Sequence, residues 1–215
     1  MLPILSRSSA RKDLASLQQI YIKTQKLVFG AVLPFIVLGC VFATPLIEVW
    51  AGEQYAGATA VMQWLLLAAF SHAMSYPSDQ LLYASGEVKE ATKISFWSGA
   101  MSIVGALLLV SRFGAAGLAA GMALAQLLIN CTWYTAAACK LSQISLTMLL
   151  RELARGMAWP LTALAAEIVL VQSISSHLSS AWLLIAGLTS GVLYLGLWGF
   201  CTALPLYRNQ MEIVA

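Results

Sequence analysis

The chain has 215 residues, 60% of them hydrophobic and only 10% charged, whereas a soluble globular domain carries about 25% charged residues. That composition excludes a water-soluble fold. The formal charge of +3 therefore matters through where its charges sit, which is between the apolar runs. Nucleic acid is not an expected partner.

In chain order, Met1 to Leu5 is followed at once by polar and basic residues, without the apolar stretch and small-residue cleavage site of a secretory signal. The short start MLPILS reads as the end of a span whose remainder is missing. Residues Ser9 to Lys26 place Leu14, Leu17, Ile20 and Tyr21 at helical spacing beside charged positions, which predicts an amphipathic helix lying on the cytoplasmic surface. Six apolar runs follow, near 27–47, 61–84, 94–110, 115–138, 156–172 and 181–203. Each is long enough to cross a hydrocarbon core of ~30 Å as a helix, and none shows the alternation of a barrel strand. The expected fold is an all-α integral membrane bundle of six transmembrane helices. Its expected divisions are a cytoplasmic amphipathic segment (1–26), a four-helix part (27–138), a cytoplasmic loop (139–155), two further transmembrane helices (156–204) and a cytoplasmic tail (205–215).

Basic residues accumulate in cytoplasmic loops. Arg7, Arg11, Lys12, Lys23, Lys26, Lys89, Lys93, Lys140, Arg151, Arg155 and Arg208 all fall on one side of the alternating spans, and Arg112 alone falls on the other. Both termini are therefore expected in the cytoplasm. Trp50 and Trp182 near the outer ends, with Trp97, Trp133 and Trp159 near the inner ends, fit interfacial belts.

Within the spans, Ser-Tyr-Pro-Ser-Asp-Gln (75–80) sets Asp79 two residues after Pro77, which frees backbone carbonyls near the carboxylate. His72 lies one heptad earlier on nearly the same face and Gln80 lies beside Asp79, so the second span presents a polar stripe. Asp79, His72 and Gln80 are the candidate translocation-pathway residues, since an intramembrane ionisable group is costly enough to imply a task. The competing reading has Asp79 reaching the interface or bonding a neighbouring helix. Leu66, by contrast, is expected to face lipid. Glu167 lies halfway along the fifth span, and Gln63, Gln126 and Asn130 are also deep, where polar side chains commonly bond neighbouring helices. No lysine or arginine lies deep in a span. Cation contacts to an anionic cargo are therefore left to Lys23, Lys26, Lys89 and Lys93 at the cytoplasmic rim.

Residues 111–125 (SRFGAAGLAAGMALA) predict a tight hairpin between spans three and four. Gly117 with Gly121, and Gly187 with Gly191, form GxxxG faces on which another helix can approach closely, and packing within the chain is the favoured use. Cys40, Cys131, Cys139 and Cys201 lack paired metal-ligand spacing. His72 and His177 lie apart, and no GxSxG, HExxH or GxxxxGK[ST] occurs. No catalytic residue, metal or cofactor is expected, and the chain is not expected to be an enzyme.

Four segments carry a family resemblance: LPILSRSSARKDLASL, PLIEVWAGEQYAGATAVMQWLLLA, LLYASGEVKEAT and RFGAAGLAAGMALAQ. In order and spacing they resemble the C-terminal half of bacterial polysaccharide-biosynthesis flippases, the O-antigen and exopolysaccharide repeat-unit transporters of the multidrug/oligosaccharidyl-lipid/polysaccharide exporter superfamily. The resemblance implies an inner-membrane transporter of two six-helix lobes that moves undecaprenyl-diphosphate-linked oligosaccharide across the bilayer by alternating access. On that pattern the chain supplies four helices of the second lobe and two appended ones, and its partners are the lipid bilayer, the lipid-linked oligosaccharide and a missing N-terminal half. Competing readings are a related cation-coupled drug antiporter and a non-transporting membrane scaffold.

Overall fold

The computed structural model describes residues 14–175 and 180–199. The start MLPILS, Arg7, Arg11, Lys12, His177, Cys201 and the tail with Arg208 lie outside the described residues, as do the side chains of Trp159, Glu167 and Trp182. The described chain is an all-α bundle without strands: α1 (Leu14–Val41), α2 (Ala43–Trp50), a 3-10 turn (Glu53–Ala58), α3 (Thr59–Ala84), α4 (Val88–Ile129), a π-helical turn (Asn130–Tyr134), α5 (Thr135–Ser142), α6 (Leu146–Ser175) and α7 (Ser180–Trp198). Among the described residues three stretches are long and apolar enough to cross a membrane, Leu14–Val41, Glu53–Ala84 and Val88–Ser142. The last folds back on itself and supplies two crossings. With α6 and α7 the bundle has six long rods.

The fold-back occurs at Gly114, whose φ of 58° and ψ of −140° belong to glycine territory. From that point the two arms of α4 run antiparallel and almost touch. A Cβ on Gly105 would lie 2.6 Å from the Gly121 carbonyl oxygen, one on Gly121 would strike the Gly105 backbone, and one on Gly117 would strike the Leu109 carbonyl. The glycines of the hairpin thus pack within the chain. Gly187 and Gly191 do so as well, receiving Phe42 at 2.9 Å and Leu38 at 3.2 Å from the positions of their missing Cβ atoms.

Three expectations need correction. The amphipathic segment is not a separate surface helix. α1 is unbroken from Leu14, and Leu17, Ile20 and Tyr21 are buried against Leu81, Ala138, Cys139, Ile144 and Leu149. Its apolar stripe answers to protein rather than to lipid. The stretch 139–155 is not a loop, because only residues 143–145 separate α5 from α6, with Gln143 in the left-handed conformation at φ 54°. Arg151 and Arg155 therefore ride on the first turns of a 30-residue helix, about 45 Å long at 1.5 Å per residue, which must overshoot a ~30 Å core. Leu66 does not face lipid freely, since it packs on Gly39 of α1, 2.9 Å from where a Cβ would stand. One expected span is also interrupted, at Phe42 between α1 and α2. Pro45 lacks the N–H that would continue the ladder to the Val41 carbonyl.

Candidate translocation site

Side-chain bonds set the register of α1 against α3. The Tyr21 hydroxyl and Ser78 Oγ lie 2.9 Å apart, Gln25 Nε2 donates to the Met74 carbonyl at 2.9 Å, and Gln63 Nε2 donates to the Cys40 carbonyl at 3.0 Å. The two helices are antiparallel, and Met74 is level with Gln25. Beside this level Lys26 Nζ binds Glu152 Oε2 of α6 at 2.7 Å. An ion pair joining α1 to α6 therefore lies near the level of Met74. Asp79 lies five residues nearer the end of α3, about 7.5 Å along the axis. That places it between one and two turns from the end of α3 at Ala84.

At this level α3, the α4 hairpin and the π-helical turn enclose a cavity of roughly 200 Å³. Its lining from α3 is His72, Ser75, Tyr76 and Asp79; from the first arm of α4, Ser95 and Ser98; from the second arm and the π turn, Gln126, Asn130 and Tyr134. The spacing explains the convergence. His72, Ser75, Tyr76 and Asp79 recur at three and four residues, as do Gln126, Asn130 and Tyr134, so each set forms one helical face. The π turn begins at Asn130 and ends at Tyr134, and such turns are frequent at functional sites.

Hydrogen bonds fix several of these groups. Ser98 Oγ donates to Asn130 Oδ1 at 3.0 Å, Ser95 Oγ and the Tyr134 hydroxyl are 2.6 Å apart, and Ser75 Oγ donates to the His72 carbonyl at 2.9 Å. Asp79 faces Tyr134, with His72 in electrostatic reach. Its Oδ1 is nevertheless buried without a hydrogen-bond partner. Among the described residues no lysine or arginine lines the cavity. The structure brings His72 and Asp79 together here but leaves Gln80 out of the lining. Sequence reasoning passed over Ser75, Tyr76, Ser95, Ser98 and Tyr134, although their helical spacing with His72, Asp79 and Asn130 was a usable signal.

The rim lysines divide. Lys26 is committed to Glu152, which also has Arg155 at 3.9 Å. The hydrogen bond from Lys26 and the charge behind it hold the Glu152 carboxyl below its ordinary value of 4.5. Lys93 sits 3.9 Å from Glu90 and 5.5 Å from the centre of the Trp133 ring, while Trp133 Nε1 donates to Glu90 Oε1 at 3.2 Å. Among the described residues Lys23 and Lys89 form no ion pair. A second cavity, roughly 640 Å³, is lined by Leu82, Glu87, Glu90, Trp133 and Lys140 among others. No three His, Cys, Asp or Glu side chains gather as a metal-ligand group among the described residues.

The family model described as lipid II flippase MurJ matches residues 1–189. The chain belongs to that family. No curated protein and no solved structure matches it. The family is one of membrane transporters rather than enzymes, and it moves a lipid-linked precursor. It lies in the same exporter superfamily as the repeat-unit flippases, so the resemblance held at that level. The finer assignment to O-antigen and exopolysaccharide transporters is corrected to the lipid II family. The physical reason is plain in the matched segments. RFGAAGLAAGMALAQ builds the hairpin and LLYASGEVKEAT the turn before it. These are scaffold features that relatives with different cargo can share.

Proposed function

We propose that the chain forms one wall of a lipid II flippase in the bacterial inner membrane, with both termini in the cytoplasm and an opposing lobe completing the pathway. The family match over residues 1–189 carries this reading. The cavity holding Asp79 and His72 supports it, because a half-polar recess near the level of the Lys26–Glu152 ion pair is where the headgroup of a lipid in the cytoplasmic leaflet would arrive. Lys23 and Lys89, free of ion pairs, are available to a diphosphate; Lys26 and Lys93 are partly neutralised by Glu152 and Glu90. Gln80 is a weaker pathway candidate than its neighbours, being outside the cavity.

The test is complementation of cells depleted of their own lipid II flippase, reading growth and the exposure of lipid II at the outer leaflet. Reporter fusions after Lys89 and after Glu53 are read in the same cells. Restored exposure is expected, with the reporter active outside the cytoplasm only after Glu53. Restoration of surface polysaccharide in a repeat-unit flippase mutant, without restoration of lipid II exposure, would overturn the cargo assignment.

A further inference from the structure

We infer that the cavity between α3 and the α4 hairpin is a subsite for the hydroxyl- and amide-bearing sugar of the lipid-linked cargo and not for its diphosphate, an inference that rests on the flippase reading above. The chemistry of the lining decides this. A diphosphate seeks lysine, arginine or a row of backbone N–H groups. This cavity contains no lysine or arginine and presents a carboxylate, Asp79, which repels phosphate at close range in a medium of reduced dielectric. The rest of its lining is hydroxyl and carboxamide, the complement of a polyhydroxylated ring with an amide substituent.

Two groups in the lining are left open for a ligand. Asp79 Oδ1 is buried and unpartnered, although a buried acceptor is normally satisfied. A sugar hydroxyl donating to it would form a charge-assisted bond, about twice as strong as a neutral one. Tyr76 is 51% exposed at the same cavity, so its ring is free to lie on the apolar face of a sugar while its hydroxyl stays wet. Asn130 and Tyr134 are held in place by Ser98 and Ser95. They need no rearrangement to meet a ligand. The position also agrees, because the cavity begins near the level at which α1 carries the Lys26–Glu152 ion pair.

The full chain, purified into lipid nanodiscs, would be titrated with two probes: undecaprenyl diphosphate bearing one N-acetylated hexosamine, and undecaprenyl diphosphate without sugar. Binding is measured for the wild type, Asp79→Asn, Tyr76→Ala and the exposed control Leu65→Ala, with a thermal melt to show that each variant is folded. The wild type and the control should prefer the sugar-bearing lipid. Asp79→Asn should weaken binding of that lipid roughly tenfold, the scale of one lost charge-assisted contact, Tyr76→Ala should weaken it through the lost ring contact, and both should leave the sugar-free lipid unchanged. Equal loss for both lipids, or no loss in folded variants, overturns the subsite while leaving the flippase reading intact. A wild type that binds neither lipid overturns both.

Discussion

The end of the bundle that carries the Lys26–Glu152 ion pair and the end that carries the Gly114 hairpin are held together by different physics. At the ion-paired end the polar contacts between helices are Tyr21 to Ser78, Gln25 to Met74, Gln18 Nε2 to the Ser142 carbonyl at 2.8 Å, and Lys26 to Glu152. Toward the hairpin end two hydrogen bonds between helices remain, Gln63 to the Cys40 carbonyl and Thr59 to Thr44, but close approaches over glycine predominate: Gly105 on Gly121, Gly117 on Leu109, Gly39 on Leu66, Gly187 on Phe42 and Gly191 on Leu38. Lipid offers helices no hydrophobic reason to associate, so close van der Waals contact must hold them there. The polar cavity lies near the junction of the two regimes. That placement suits a group that must meet both headgroups and hydrocarbon during one transport cycle.

The sharpest break in this comparison is expected from adding the same methyl group in two places. Gly121→Ala puts a Cβ against the backbone of the other α4 arm, which can give way only if the hairpin opens. Gly99→Ala puts one into open space on the same helix. Both gain roughly 1 kcal/mol of helix propensity, so the difference isolates the steric cost. Overpacking costs about 1 to 3 kcal/mol; Gly121→Ala should therefore be destabilised by up to about 2 kcal/mol net, whereas Gly99→Ala keeps the gain of about 1 kcal/mol. Thermal unfolding in detergent, followed by size-exclusion monodispersity, reads both. Equal stability of the two variants would mean that the hairpin is looser than its geometry shows.

Much of this architecture was legible before any coordinates. The six rods, the hairpin and the intrachain use of its glycines follow from long apolar runs and small residues at four-residue spacing. Asp79 and His72 were legible as partners because a heptad brings residues to one face. What the sequence did not display was register. Nothing local to Tyr21 or Ser78 says that they meet, yet that pairing fixes which residues of α1 stand level with the cavity. Continuity was hidden for a related reason. Arg151 and Arg155 look like loop residues by charge, whereas a helix longer than the hydrocarbon layer carries its basic residues past the boundary without unwinding. Leu66 illustrates the same limit, since a leucine on a span has no mark distinguishing lipid from a facing glycine. Cargo was least legible, because the segments that carry the resemblance build scaffold.

A smaller effect is expected from removing one hydrogen bond at the ion-paired end. Tyr21 and Ser78 are both almost fully buried, so Tyr21→Phe keeps the ring packed and strands the Ser78 hydroxyl. The expected loss is about 1 to 2 kcal/mol, the cost of leaving a buried polar group unpaired. The double variant Tyr21→Phe with Ser78→Ala removes both partners and should recover part of that loss. A double variant as unstable as the sum of the two single ones would show that the bond contributes nothing and that packing alone sets the register.

The smallest effect belongs to the ion pair of Lys26 and Glu152, which sharpens the comparison through pH. Lys26 lowers the Glu152 carboxyl from its ordinary 4.5, so the unfolded chain binds the proton more readily than the folded one. The stabilisation is then fully present above the unfolded value and is lost as pH falls below 4.5 through the lowered folded value. Glu152 is about one-third exposed, with 32% of its side chain accessible, and solvent screening keeps the contribution under about 1 kcal/mol. Melting of the wild type should exceed that of Glu152→Gln by a small margin at neutral pH, and the margin should close on acidification below 4.5. Added salt should narrow it as well, because a partly exposed pair is screened over about 10 Å at 0.1 M. A margin that survives both acid and salt would assign the contact between α1 and α6 to the stems of these side chains instead of their charges, and would extend the packing regime of the hairpin end across the whole bundle.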